Sequence, residues 1–286
     1  MKTLEILRDT PPWEWPEDAA DTFHELLTNK AATKSERLIA AELAGDSTVI
    51  NDELAEVLMK VVADPVEPEE LRARAVISLG PALEMADTHG FDDPDDLDDV
   101  PISEEMFHHI QETLRNLYPG ETVAGKQVRR RILEASVRAP EDWHREAIQK
   151  AWSSGDQEWM LTAAFCMRWI SGFDDSILQA LKNKDEEIRT EAVEAAGNWK
   201  LEGAWPEIVA ILNTPRQPKH MLITAIEAAA SIHPKEARDV LEEFTTSRDE
   251  EIAEAAEEAI MMADAEAQSG GEEFDDAEEN EDGWVN

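Results

Sequence analysis

The sequence is short of cysteine and of basic residues, and strand patterns are scarce in it. A single cysteine, Cys166, excludes an internal disulfide framework. No apolar run approaches the ~20 residues of a membrane span, and the opening MKTLEILRDT has no apolar signal core. The expectation is a cytoplasmic protein with no membrane partner. Alternating strand patterns are essentially absent, which leaves an all-α class. Lysine and arginine number 26 against 65 aspartates and glutamates, for a formal charge of −39. The imbalance is local: residues 84–105 hold ten acids and residues 249–286 sixteen, and neither stretch contains a lysine or arginine. Acidity gathered in segments argues for solvated tails or docking segments rather than a uniformly salt-adapted surface. With no broad basic face to displace counterions from phosphates, no nucleic-acid partner is expected.

What is present is self-similarity. Seven segments share one register, the clearest being DEEIRTEAVEAAG at Asp185–Gly197. Their anchors are Glu36, Leu71, Val128, Trp159, Ile188, Met221 and Ile252, all apolar except Glu36. Four residues after each anchor come Ala40, Ala75, Ile132, Ala163, Ala192, Ala225 and Ala256, and seven after come mostly alanines, with Cys166 among them. A period near 31 residues means stacked helix pairs. First helices are expected near 17–28, 51–62, 103–117, 141–152, 174–182, 205–212 and 234–245. Second helices open at Thr33, Pro68, Gly125, Asp156, Asp185, Pro218 and Asp249, each a plausible cap or first-turn residue. The fold expected is an α-solenoid of about seven antiparallel pairs over residues 17–266. An N-terminal extension (1–16), an acidic insertion (about 86–101) and an acidic, disordered tail (267–286) complete the chain.

The period, the small-residue column and the D-E-E-I-R-x-x-A-x-x-A-x-G pattern resemble the bacterial HEAT-like repeats of phycobilin-lyase-type proteins. The resemblance covers about residues 17–265 and implies a protein-binding scaffold. Some proteins of this architecture are enzymes. The iron-dependent hydroxylases carry several His-Glu pairs, whereas this chain has one, His24-Glu25. The DNA glycosylases use a basic groove that this sequence does not offer.

Four motifs look like chemistry and read better as structure. GETVAGKQ (120–127) approximates a phosphate-binding loop, but Gln127 replaces the magnesium-holding hydroxyl and a helical pattern precedes it where a strand is needed. Glu105, His108, His109 and Glu112 share one predicted helix, with no second cluster to complete a metal shell. DDPDDLDD (92–99) puts Leu97 and Asp98 where a calcium loop needs an oxygen ligand and a glycine. Cys166 occupies a small-residue position of the repeat and reads as a buried structural thiol. Neither a catalytic constellation nor a cofactor or metal site is expected.

Six residues past the anchors come Glu42, Ile77, Glu134, Phe165, Glu194, Glu227 and Glu258. Phe165 breaks the glutamate column, and Leu161 and Trp169 extend it into an i, i+4, i+8 apolar stripe. Arg168 lies beside it, and Arg130 and Arg131 belong to the densest basic cluster of the chain. Arg129 in that cluster matches the arginine that follows the anchor at Arg37, Arg72 and Arg189, and reads as a stacking residue. The function expected is a non-enzymatic scaffold that receives a partner peptide or helix near repeat four, on Leu161, Phe165, Trp169, Arg168, Arg130 and Arg131. An aromatic, acidic peptide would fit those residues. The chain's own tail, with Phe274 and Trp284 among acids, is one such segment and suggests intramolecular docking. The alternatives are an acidic module that recruits a basic protein, or a repeat-lyase or hydroxylase-like enzyme.

Overall fold

Side-chain caps mark the start of several helices, among them those that follow Thr33, Asn51, Ser103, Asp156 and Asp185. The computed structural model describes residues 2–91, 100–120 and 124–275. Within Met1–Ala151, the first compact unit, lie α1 (Lys2–Arg8), α2 (Ala19–Thr28), α3 (Lys34–Leu43), α4 (Asp52–Ala63), α5 (Glu69–Ile77), α6 (Gly80–His89), α7 (Glu104–Leu117) and α8 (Lys126–Ser136). The unit boundary at Ala151 falls inside α9 (Asp142–Ser153). The second unit, Trp152–Asn286, contains α10 (Gln157–Cys166), α11 (Asp174–Ala180), α12 (Glu186–Asn198), α13 (Trp205–Leu212), α14 (Lys219–Ile232), α15 (Pro234–Leu241) and α16 (Glu250–Asp275). No strand occurs among the described residues.

All seven second helices start directly after the residues read from the sequence as their openings. Asp156 accepts from the backbone N–H of Glu158 and Trp159, and Asp185 from that of Glu187. Glu36, the polar anchor, has its own reason. It forms a capping box with Thr33, in which Thr33 Oγ1 accepts from Glu36 N–H and the Glu36 carboxylate accepts from Thr33 N–H at 2.9 Å.

Within each unit the second helices lie side by side in chain order. α3 packs on α5 and α5 on α8; separately, α10 packs on α12, α12 on α14 and α14 on α16. Each unit is therefore a short α-solenoid. The small residues four past the anchors are all buried, as is Cys166. Close approach explains two glycines. A Cβ on Gly45 would lie 2.3 Å from the Ser78 carbonyl oxygen, and one on Gly197 would lie 3.1 Å from Ala228 Cα.

The arginine after the anchor staples the two helices of a pair. Arg37 donates to Leu27 O at 3.0 Å, Arg72 to Val62 O at 2.8 Å, Arg129 to Tyr118 O at 2.8 Å and Arg189 to Asn183 O at 3.0 Å. Each acceptor lies at or just past the C-terminus of the first helix, where carbonyls lack intrahelical partners and the macrodipole favours a cation.

Three features differ from the sequence pattern. The chain inserted after the second pair begins with a helix, α6, which Gly80 and Pro81 restart just after α5 ends. The segment around 92–99 lies outside the described residues. Helix α10 ends at Cys166, so Trp169 sits on the tight turn beyond it, where its N–H bonds to Cys166 O. Helix α16 runs to Asp275, past the residue-267 boundary drawn for the tail, and residues 276–286 lie outside the described residues.

Candidate functional site

In the second unit, Leu161, Phe165 and Trp169 are each partly buried, and the Phe165 and Trp169 rings lie 6.4 Å apart. Arg168 covers the Phe165 ring at 5.1 Å and reaches Glu191 at 3.1 Å and Glu194 on α12. Its charge is spent on the next repeat. From Phe165 the equivalent positions on α12, α14 and α16 are Glu194, Glu227 and Glu258. Burial, and then repulsion from Glu194 and Glu258, raise the Glu227 pKa above its ordinary value. The row therefore reads apolar at repeat four and acidic beyond it.

Arg130 and Arg131 belong to the first unit. Arg130 is buried, 3.9 Å from Glu134 and 3.3 Å from Gln127, and Arg131 pairs with Glu134 on the same helix. The expected reception of an acidic segment rested on these two residues and Arg168. All three guanidiniums face glutamates of this chain.

A concavity lies in the first unit, at the other exception in the glutamate column. It has a volume of about 740 Å³. Ile77 contributes from the second repeat, Arg8, Pro12 and Trp15 from the N-terminal extension, and Glu84 and Met85 from α6. Trp15 is fixed by its indole N–H, which donates to Leu7 O and Thr10 O at 2.9 Å, and by an edge-on contact with Phe23 at 5.6 Å. Arg74 pairs with Glu42 at 3.1 Å, and Arg138 with Glu84 at 2.6 Å. Sequence reading missed this cavity because it treated the extension, the insertion and Ile77 as separate departures from the repeat. The available signal was that all three disturb the array around the first two repeats.

The remaining motifs take structural places. Helix α7, not a strand, precedes the glycine loop, whose residues 121–123 lie outside the described ones. His108 faces Glu104 at 3.8 Å while His109 faces Glu56 at 3.7 Å, so the two histidines diverge. No group of three metal-ligating side chains occurs among the described residues.

His144 was not singled out by its sequence context. It is fully buried, with Nε2 2.8 Å from Ser136 Oγ. Ser136 donates to Ile132 O at 2.7 Å, which leaves its oxygen to accept from Nε2–H, while Nδ1 lies 2.8 Å from Glu141 N and 3.1 Å from Glu141 O. The imidazole is thus not oriented to accept the serine proton, and the pair holds α8 against the start of α9. Burial lowers the His144 pKa to about 4.

Residues 174–261 match the family model described as HEAT repeats. That stretch carries HEAT repeats. The match lies wholly in the second unit, where the register is most regular. Among curated proteins, none matches the sequence. Similar solved structures include Escherichia coli YibA, with 17% identity over 91% of this chain and 85% of that one and a TM-score of 0.47. An engineered protein shares 19% identity over 74% of this chain and 96% of its own, with a TM-score of 0.44. Human deoxyhypusine hydroxylase, solved with glycerol, shares 15% identity over 92% and 89%, with a TM-score of 0.40. At these identities and scores none of them lends this chain a function. No described helix is long and apolar enough to cross a membrane.

Proposed function

We propose that this chain is a non-catalytic scaffold that binds a protein partner on the second-helix row of its second unit, anchored at repeat four. The observation that carries the reading is the row Phe165, Glu194, Glu227, Glu258. It joins a partly exposed aromatic pair to a line of carboxylates close enough to repel one another. Apolar contacts would supply the anchor and the carboxylates the selectivity. Because Arg168 is already matched by Glu191 and Glu194, the complementary partner is a segment with an apolar anchor and basic neighbours. This combines binding near repeat four with recruitment of a basic protein.

The test is affinity capture from the native cell with the wild type, Phe165→Glu and a Glu194→Gln/Glu227→Gln/Glu258→Gln variant. Loss of a captured protein with Phe165→Glu and its weakening with the glutamine variant are expected. Capture of the same proteins by all three baits would refute the proposal.

A further inference from the structure

Three departures from the repeat converge on the first-unit cavity. The extension supplies Trp15 and Arg8, the inserted helix supplies Glu84 and Met85, and the repeat itself gives up a glutamate for Ile77. Either segment alone could merely close the end of the array. Together they leave an open space of about 740 Å³, within the range of binding pockets.

The charges in this space are unequal in their commitments. Glu42 is matched by Arg74 and Glu84 by Arg138. Asp46 accepts from Thr48 N–H at 2.9 Å and from its hydroxyl at 2.7 Å. Arg8 meets only its neighbour Asp9 among the described residues, through Nε at 3.6 Å, and its side chain is about half exposed (48%). Its terminal fork is therefore the uncommitted charge of the cavity, and a carboxylate is the group that such a fork binds best. Trp13, next to the lining residue Pro12, is 79% exposed, which places a second large apolar surface on the same extension.

We propose that this cavity binds an acidic peptide segment, which sets one bulky apolar side chain against Trp15 and Ile77 and a neighbouring carboxylate on Arg8. The inference uses the first unit alone and does not depend on the repeat-four reading. In a protein with 65 acids and 26 basic residues, such a site would also select against the basic segments that the second-unit row favours.

The probes are fluorophore-labelled acetyl-Gly-Asp-Phe-Asp-Gly-amide and two controls, one with lysines for the aspartates and one with alanine for the phenylalanine. They are titrated into the full chain by anisotropy. The Asp-Phe-Asp probe is expected to bind at least about tenfold more tightly than either control. Arg8→Gln is expected to weaken it about tenfold, as is Ile77→Glu, which restores the carboxylate carried by most repeats. Phe165→Glu is expected to leave it unchanged, separating this site from the second-unit row. Arg8 is exposed, so Arg8→Gln reports on binding even if Ile77→Glu perturbs the fold. No binding of the Asp-Phe-Asp probe, equal binding of the lysine probe, or full affinity in Arg8→Gln would overturn the proposal.

Discussion

His144 and Glu67 carry opposite consequences of burial. With its pKa lowered to about 4 by burial, His144 takes up a proton more readily in the unfolded chain, whose ordinary value is 6.5. Stability is therefore lost as pH falls from about 6.5 to about 4, by at most about 3 kcal/mol from this one group. Glu67 is held down to about 2 by its bond to Arg37, against the cost of burial, with Lys30 adding to the effect. Its contribution is present above the unfolded value of 4.5 and is lost as pH falls toward 2. Denaturant titrations at a series of pH values should show both windows, and His144→Asn should flatten only the upper one.

The Arg37–Glu67 pair is bidentate, at 2.6 and 2.8 Å, and both residues are buried. Arg37→Met is expected to cost up to about 3–5 kcal/mol by leaving the buried carboxylate with Lys30 alone, whereas the double variant Arg37→Met/Glu67→Met should recover much of that loss. A double-mutant cycle by equilibrium unfolding decides it. A fully additive result would mean that the pair does not act as a unit.

At the scale of the element, the repeat is legible because each of its positions does a physical job. The position four past the anchor is alanine in six of the seven repeats, which lets second helices approach, and the arginine that follows four of the anchors reaches a carbonyl at the preceding helix end. Gly45→Ala brings Cβ to 2.3 Å from backbone and is expected to destabilise by about 1–3 kcal/mol or more. Gly197→Ala meets Ala228 at 3.1 Å, and its better helix propensity of about 0.5–1 kcal/mol offsets a small shift. Thermal unfolding should show a marked loss for the first and little change for the second. Sequence periodicity found the helices of the repeat but missed α6. That helix follows α5 too closely to leave a loop-like gap, and Leu79 just before it with its Ala82, Leu83 and Ala86 continue the apolar spacing.

Across the whole molecule, the ladder revealed the architecture and the location of its exceptions, but not which exceptions meet in space. Phe165 was found from the glutamate column, and the structure keeps it beside Trp169. The role expected of Arg168 could not be judged from spacing, because its partners Glu191 and Glu194 are set by helix packing, whereas Glu134 stands three and four residues past Arg131 and Arg130 on one helix and was legible. The first-unit cavity was harder still to see, since its walls come from segments dozens of residues apart. The two proposed sites would divide the labour, with a row favouring basic segments in one unit and a cavity favouring acidic ones in the other. Binding to the acidic row should weaken steeply with salt, because screening shortens from about 8 Å at physiological ionic strength to about 3 Å at 1 M.

The most direct test of the scaffold proposal is photo-cross-linking in the native cell, with a photoreactive amino acid placed at position 165 and, as the control, at the exposed position 66. A discrete protein adduct at 165, weakened when Glu194, Glu227 and Glu258 are changed to glutamine and absent at 66, is the predicted result. No adduct at 165, or the same adducts at both positions, would contradict it.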